Sequence, residues 1–208
     1  MNGSPLTHVM NAVRLELALY RSIGRWLARR PDVPDGATPI GYAQLVAPML
    51  WLWIFGSATE AIVVEVLLRH FDAPWAEAIR LPLLVVGIWG VLWMIGMMAA
   101  YRVRPHLLSE ANLRIRNSAR TWVDVPLNRI ASVHTVEHEL PGIIKAVHQD
   151  DKLLLVGVSA RTNLELRLDG IADLRTSGGD VAASRVGLWV DEPRSVRTLL
   201  QTHLPTAT

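Results

Sequence analysis

The stretch LPLLVVGIWGVLWMIGMMAAY, residues 81–101, decides the fold of this chain. It holds no charged residue, and about 20 apolar residues are enough to cross a hydrocarbon core of roughly 30 Å as a helix. A buried helix of a globular protein rarely stays uncharged over such a length. We therefore predict a transmembrane helix here, with Pro82 near its start, where a missing N–H costs little.

A second apolar stretch, QLVAPMLWLWIFGSATEAIVVEVLL at residues 44–68, precedes it. This stretch carries Glu60 and Glu65, and a carboxylate at mid-bilayer costs about 3 kcal/mol on insertion scales. The many Leu, Ile, Val, Phe and Trp side chains outweigh that cost, so we predict a second span. Only residues 69–80 connect the two spans, which must therefore be antiparallel neighbours. Aromatic side chains are expected near the membrane interfaces: Trp51, Trp53, Trp75 and Tyr101.

The flanks of this hairpin carry more positive charge than the loop inside it. The flanks contain Arg25, Arg29, Arg30, Arg102 and Arg104, whereas in the loop Arg69 and Arg80 are offset by Asp72 and Glu77. The positive-inside rule then predicts a multi-pass protein of the cell (inner) membrane with both termini in the cytoplasm. No cleavable signal peptide is expected, because the first apolar run begins only after a polar region of about 40 residues.

Residues 6–30 have the periodicity of an amphipathic basic helix. Its apolar face contains Val9, Met10, Val13, Leu17, Tyr20 and Leu27. The predicted membrane-surface basic residues are Arg14, Arg21, Arg25 and Arg29 on the opposite face, followed by Arg30. Two interpretations stay open: a helix lying on the anionic inner leaflet, or one whose apolar face packs on the C-terminal domain or on a second copy. Pro and Gly residues then form a linker to the first span: Pro31, Pro34, Gly36 and Pro39.

From Arg102 onward the period of the apolar residues changes to two, which predicts strands. The alternating segments are 113–116, 123–125, 133–136, 164–168 and 186–190. Turn signals separate them at 117–118, 141–142, 169–170 and 177–180. After 190, Asp191 is expected to cap a closing helix with Pro193 in its first turn. Its apolar stripe is Val196, Leu199, Leu200 and Leu204. We predict several antiparallel strands closed by one helix.

One arrangement within this region carries a family resemblance. A strand and a short turn are followed by VPLNRIASV, residues 125–133, by further strands, and by a helix after Asp191-Glu192-Pro193. This arrangement resembles bacterial PH-like domains, and membrane proteins of that kind often place the domain directly after a two-helix hairpin. The resemblance covers the hairpin and most of residues 106–204. It implies a small antiparallel β-sandwich or barrel closed by the C-terminal helix, and it carries over no catalytic residue.

The predicted organisation is therefore a membrane α+β protein with three parts. Residues 1–43 form the basic helix and its linker, residues 44–101 the transmembrane hairpin, and residues 102–208 a PH-like cytoplasmic domain. The strands of this domain carry scattered arginines, which more often form a solvated sheet face than meet lipid headgroups. We expect that solvated face for Arg114, Arg116, Arg161 and Arg167.

The string His134-Thr135-Val136-Glu137-His138 matches the inverted zinc-protease pattern H-x-x-E-H. That chemistry needs both histidines on one face of a helix, with the glutamate beside the metal-bound water. The surrounding residues alternate like a strand. We therefore predict a surface strand with His134, Val136 and His138 on one face, and keep a zinc protease as an alternative.

Glu60 and Glu65 are the candidates for a functional site within the membrane. With the N-terminus inside, Glu65 falls near the outer interface, and Glu60 lies deeper. There we expect Trp89 or Trp93 of the neighbouring helix to donate a hydrogen bond to Glu60. The functional interpretation is a contact with a partner helix, or a proton- or cation-linked site. The structural interpretation is a protonated glutamate bonded within the hairpin.

Composition narrows the function further. The chain has no Cys, which excludes disulfides, Cys-zinc sites and thiol catalysis. A net charge of +2 gives no reason to expect a nucleic-acid partner. Phosphate-binding loops, dinucleotide fingerprints and a Ser-His-Asp order are absent from the sequence, so we expect no cofactor and no enzyme.

We predict a bacterial, non-enzymatic scaffold whose hairpin anchors a protein- or lipid-interaction domain at the inner leaflet. Its expected partners are the lipid bilayer and either a membrane protein or further copies of the chain. The alternative is a subunit of a transport or channel assembly that uses Glu60. Two helices cannot enclose a pore, so transport would need further subunits.

Overall fold

The computed structural model describes residues 5–71, 73–141 and 146–204. Within these residues the helices are α1 (Pro5–Leu27), α2 (Ala47–Arg69), α3 (Pro74–Val103) and α4 (Pro193–His203), with a 3-10 turn at Leu127–Arg129. The strands are β1 (Thr38–Ile40), β2 (His106–Leu108), β3 (Asn112–Asn117), β4 (Thr121–Pro126), β5 (Ile130–His134), β6 (His138–Glu139), β7 (Val147–Asp150), β8 (Leu153–Val156), β9 (Arg161–Thr162), β10 (Leu164–Thr176) and β11 (Gly179–Leu188). The predicted combination of helices with a mostly antiparallel sheet is confirmed.

Both predicted spans are helical, but the second helix is longer than its apolar stretch. α3 begins at Pro74, within the segment predicted as a loop, so Pro82 lies inside the helix and not near its start. Pro74 suits the first helical position because an N–H there would have no partner within the helix. Asp72 lies outside the described residues. α2 and α3 pack closely, since a Cβ added to Gly87 would lie 3.0 Å from Ala61 Cβ.

The α2–α3 hairpin turns most of its apolar surface outward. In the most apolar 18-residue window of each helix, the buried share is only 6% in α2 and 22% in α3. A core helix of a soluble protein is mostly buried, so these helices do not fill an interior. The exposed large apolar side chains of α3 all lie between Trp75 and Trp93. Both helices are long enough and apolar enough to cross a membrane.

α1 packs along the C-terminal half of α3. The face of α1 that makes this contact is not the apolar face that the sequence predicted. Leu19 is fully buried against α3 and Ala119 of the β3–β4 turn, with Leu15 and Ala18 beside it. A Cβ added to Gly96 would lie 2.9 Å from Leu19 Cβ, so the glycine permits this close approach. The predicted apolar face is exposed instead: Met10, Val13, Leu17, Tyr20 and Leu27. The side chain of Val9 lies outside the described residues.

The segment predicted as a linker contributes a strand to the sheet. β1 pairs antiparallel with β2, with Thr38 opposite Leu108 and Ile40 opposite His106. β1 precedes the α2–α3 hairpin and β2 follows it, so both ends of the hairpin are attached at the same edge of one sheet. The segment before the hairpin is thus part of the same sheet as the domain after it.

Asp191 also ties the start of the hairpin to the sheet. Its carboxylate accepts hydrogen bonds from the N–H groups of Ala43 (3.1 Å) and Gln44 (2.8 Å). The residue before α4 is Glu192, and no side chain caps that helix. The prediction that Asp191 caps the closing helix was therefore wrong, because both of its carboxylate oxygens accept hydrogen bonds from the turn that leads into α2.

Nine of the described strands form one sheet, in the order β1-β2-β3-β4-β10-β11-β8-β7, with β5 also paired to β10. Every pair is antiparallel except β8 with β11, which is parallel, so the sheet is mixed. β10 runs straight through the predicted turn at 169–170, where a register irregularity lies between Arg167 and Ala172. This irregularity lets β10 pair with β5 on one half and β4 on the other.

One apolar core draws on strands from β1 to β11 and on α4. Its fully buried members include Leu113, Ile115, Val123, Val125, Leu164, Leu166, Leu174 and Leu188. Val196 and Leu200 of α4 close this core, as the apolar stripe predicted. The sheet domain thus has its own interior, whereas the apolar surface of α2 and α3 remains outside it.

Candidate functional site

The hairpin meets the sheet at a buried aromatic cluster. The rings of Tyr42 and His106 stack with centroids 4.4 Å apart, and Tyr101 of α3 meets Tyr42 edge-on at 5.7 Å. His106 Nδ1 accepts a hydrogen bond from the Arg116 N–H (2.9 Å), so Nε2 carries the proton and donates to the Trp189 carbonyl (2.9 Å). Burial lowers the pKa of His106 to about 4. This imidazole is a neutral structural group that joins β2, β3 and the end of β11.

A single carboxylate, Asp32, draws together the ends of α1, α3 and the strand β3. It pairs with Arg25 of α1, with Arg104 after α3 (3.4 Å) and with Arg116 of β3 (3.5 Å). Its backbone takes part as well, since Arg116 Nη1 donates to the Asp32 carbonyl at 2.8 Å. Arg116 is only 6% exposed, so its prediction as part of a solvated face was wrong.

The remaining arginines of that predicted face are at least partly exposed and mostly paired. Arg114 of β3 donates two hydrogen bonds, at 2.6 and 2.8 Å, to Asp124, its cross-strand partner on β4. Arg161 faces Glu139 at 3.7 Å, and Arg167 bonds to Glu165 at 2.9 Å. Charge pairing within the sheet surface therefore accounts for these three side chains.

Three of the five predicted membrane-surface arginines converge at one pocket. Arg25, Arg29 and Arg30 line a cavity of about 480 Å³ between the end of α1 and the end of α3, together with Trp26, Leu27, Pro31, Arg102 and Val103. We call this cavity the basic pocket. Arg21 lies in an adjacent cavity with Asp32 and Arg104, and Arg14 lines neither. The positive-inside rule placed these arginines and Arg102 on the same side of the membrane, but no sequence pattern showed that Arg102 lies beside the end of α1.

Glu65 is held by two arginines that the sequence identified only as loop charges. Its Oε1 lies 2.7 Å from Arg69 Nε and 3.8 Å from Arg80 Nε, and its side chain is 14% exposed. The other oxygen, Oε2, is buried without a hydrogen-bond partner in the described chain. The spacing of four between Glu65 and Arg69 was the signal that could have found this pair.

Glu60 lies exposed on the apolar surface of the hairpin. Within the described residues it makes no hydrogen bond or ion pair, and the expected bond from Trp89 goes instead to Glu16 of α1. Glu60 borders a cavity of about 270 Å³ between α2 and α3, which we call the hairpin groove. The groove is also lined by Ser57, Ala61, Glu65, Arg80, Gly87 and Gly90.

The H-x-x-E-H string does not lie on a helix. β5 ends at His134 and β6 begins at His138, so the string crosses from one strand to another. His134 Nε2 lies 2.9 Å from Ser132 Oγ, whereas His138 Nε2 lies 2.8 Å from Glu165. The two imidazoles thus have separate partners, and the described residues contain no group of three or more metal-ligating side chains.

Glu165 is the centre of an ion cluster that sequence analysis did not identify. Its side chain is 2% exposed and meets His138 (2.8 Å), Arg167 (2.9 Å) and Arg185 (3.8 Å). Burial by itself would raise the pKa of Glu165, but hydrogen bonds from Arg167 and His138 and the charge of Arg185 together lower it. The cluster therefore keeps a charged carboxylate buried within the sheet.

Comparison of the chain with protein-family models, curated proteins and solved structures found no match. The resemblance to PH-like domains therefore stays a prediction from the sequence.

Proposed function

We propose that this protein is an integral membrane module in which α2 and α3 cross the cell membrane and hold the sheet domain at its cytoplasmic face. The observation that carries this proposal is the outward apolar surface of the hairpin. On α3 that surface extends from Trp75 to Trp93. The 18 helical steps from Trp75 to Trp93 rise by about 27 Å, close to the thickness of a hydrocarbon core. Tryptophan at both ends fits the two interfaces.

The proposed membrane boundary differs from the one drawn on composition alone. Gly96, Met98, Ala99, Ala100 and Val103 of α3 are buried within the protein, so this end of the helix is covered by other elements and not by lipid. α1 and α3 run in the same chain direction at their contact, since Glu16 meets Trp89 and Leu19 meets Gly96. We therefore place α1 against the cytoplasmic end of α3, where its exposed apolar face meets the inner leaflet.

The sheet domain is firmly attached to this anchor. β1 and β2 fix both ends of the hairpin, Asp191 holds the turn into α2, and Asp32 holds the end of α3. A flexible tether would leave the domain free to sample many orientations, whereas these contacts set one. This arrangement supports a non-enzymatic scaffold that presents a PH-like surface to a protein or lipid at the inner leaflet.

Membrane topology tests this proposal directly, because the chain lacks cysteine and single cysteines can be placed at will. We expect the protein to resist alkaline carbonate extraction. An impermeant maleimide should label Ala73→Cys in intact spheroplasts, whereas Ser195→Cys on α4 should react only after permeabilisation. The cysteine-free chain is the control for background labelling. Extraction by carbonate, or labelling of both positions from one side, would contradict the proposal.

A second candidate function rests on Glu60, which is exposed and without a partner in the described structure on a surface we assign to lipid. A carboxylate in that position is unfavourable unless another molecule provides a donor. The hairpin groove beside it contains Gly90, where an added Cβ would meet nothing within 4 Å, so a partner helix can approach closely there. We propose that a membrane partner places a polar or basic side chain against Glu60, as in a transport or channel assembly.

Replacing Glu60 with Leu should release such a partner, because Leu provides no acceptor for the donor. Glu60→Gln keeps hydrogen bonding and should retain the partner, while it abolishes any proton- or cation-linked flux measured in vesicles with a pH-sensitive dye. The measurement is co-purification in mild detergent followed by mass spectrometry. Glu77→Gln, an exposed glutamate in the first turn of α3, is the control. Retention of every partner by Glu60→Leu would exclude this second candidate.

A further inference from the structure

We infer that the basic pocket binds the headgroup of an anionic phospholipid through its phosphate. This inference rests on the proposed function, because it needs the end of α3 to lie at the inner membrane interface. The pocket lies between the last turn of α1 and the end of α3, and its basic residues are Arg25, Arg29, Arg30 and Arg102. A phosphate accepts two hydrogen bonds at once from the planar guanidinium group, which makes arginine well suited to it.

Among the residues that the structure describes, the positive charges around the basic pocket outnumber the negative ones. Asp32 is the acidic side chain at this junction, and it is already shared among Arg25, Arg104 and Arg116. Arg29, Arg30 and Arg102 have no ion pair within the described residues, and all three side chains border the same cavity. Like charges that border one cavity repel each other, so an anion from outside the protein would relieve the repulsion.

The backbone at the end of α1 shows that an arginine occupies a position better suited to glycine. The Arg30 N–H donates to the Arg25 carbonyl (2.9 Å) and the Arg29 N–H to the Trp26 carbonyl (3.0 Å), the pattern of a Schellman motif. Arg29 has φ of 53°, the left-handed conformation that glycine adopts without strain. A non-glycine residue in this unfavourable backbone conformation is consistent with a role for its side chain.

Apolar side chains next to the arginines favour a lipid over a soluble phosphate. Trp26 and Leu27 line the basic pocket, and Leu27 is 74% exposed. A glycerophospholipid places its phosphate at the headgroup level and its acyl chains directly below, so it contacts both kinds of side chain. Inorganic phosphate or glycerol phosphate would use only the guanidinium groups.

The test is lipid binding by the full-length protein in detergent, with phosphatidylglycerol, phosphatidylcholine and sn-glycerol phosphate as probes, measured by native mass spectrometry. Arg29→Gly removes one guanidinium and at the same time fits the left-handed backbone, so this variant should fold. Arg102→Gln removes a second guanidinium from the other side of the cavity. Arg197→Gln on α4 is the control, because it lowers the net charge equally from an exposed position that does not line the pocket.

We expect one phosphatidylglycerol to stay bound in preference to phosphatidylcholine. Arg29→Gly and Arg102→Gln should each weaken its binding about ten-fold, the equivalent of one charge-assisted hydrogen bond. Arg197→Gln should bind as the natural sequence does, and glycerol phosphate should not compete. Unchanged lipid affinity in both pocket variants would overturn the inference. So would equal binding of phosphatidylcholine, or competition by glycerol phosphate at the lipid's own concentration, which would mark a soluble-phosphate site.

The outcome is distinguishable from a failure of the proposed function. Carbonate extraction and cysteine labelling decide whether the hairpin crosses the membrane, and they do not depend on the pocket arginines. A chain that passes both tests while its pocket variants keep full lipid affinity would contradict the lipid site alone. A chain that fails both tests would contradict the membrane module, whatever anion the pocket binds.

Discussion

Replacing Asp32 with Asn is expected to lower the free energy of unfolding by about 2 to 3 kcal/mol. The amide removes the charge that Arg25, Arg104 and Arg116 share, and Arg116 is nearly buried. Leaving a buried guanidinium without its anion costs more than the pair itself contributes, because the charge stays desolvated. Asp32 is 34% exposed, and water screening at that side keeps the effect at the lower end of the range for buried pairs.

Urea unfolding of the full-length protein, followed by tryptophan fluorescence in detergent, measures this loss. Asp35→Asn is the matched control, since Asp35 lies three residues further along the same segment, is exposed and has no ion pair among the described residues. That variant should change stability by less than about 0.5 kcal/mol. If Asp32→Asn is no more destabilising than Asp35→Asn, the three arginines do not depend on this carboxylate.

The two apolar helices could be predicted from sequence because the requirement behind them is local. An uninterrupted apolar run of the right length identifies itself without knowledge of any distant residue. The boundaries were less accurate, since the first turns of α3 carry Glu77 and Arg80 and therefore fall outside an apolar criterion. Pro74 marks the true start of α3, but a proline signal is ambiguous when another proline, Pro82, lies eight residues further on.

The strands that sequence analysis missed depend on distant partners. β1 has only three residues and pairs with residues beyond the whole hairpin, so no local pattern could have revealed it. β8 is the apolar run Leu153–Val156, buried on both faces beside a parallel neighbour, and such a run lacks the alternation of a half-buried strand. At 169–170 the turn signal was real, but pairing on both sides of the irregularity kept β10 continuous.

The charged sites likewise divide into those that a local sequence pattern indicates and those that depend on residues distant in the chain. The helical period placed Arg21 and Arg25 on one face, and the spacing of four between Glu65 and Arg69 could have indicated their pair. The grouping of Arg25 with Arg102 joins residues on two helices, and the Asp32 cluster adds a strand. Glu165 lies in an alternating segment, and that pattern does not reveal that His138 of β6 contacts its buried carboxylate. Such clusters are determined by tertiary packing, which alternation and helical period do not report.

Acidification is expected to destabilise the junction between hairpin and sheet between about pH 6.5 and pH 4. Burial lowers the pKa of His106 to about 4, so the folded protein favours the neutral ring more strongly than the unfolded chain does. Its contribution to stability is complete above the unfolded value of about 6.5 and is lost as the pH falls towards 4. Each pKa unit corresponds to about 1.4 kcal/mol, which gives a total loss of about 3 kcal/mol.

The physical reason is that a protonated ring has no acceptor for the Arg116 N–H and places a positive charge beside the Arg116 guanidinium. Urea unfolding at a series of pH values measures how steeply the free energy of unfolding falls as the pH is lowered, and His106→Gln is the comparison. That variant should be less stable near pH 8, because it loses the stacking on Tyr42, and it should lose much less stability between pH 6.5 and 4.5. Glu165, whose pKa is lowered, contributes its own loss at more acidic pH in both proteins. Equal slopes in the two proteins above pH 4.5 would show that another group controls the junction.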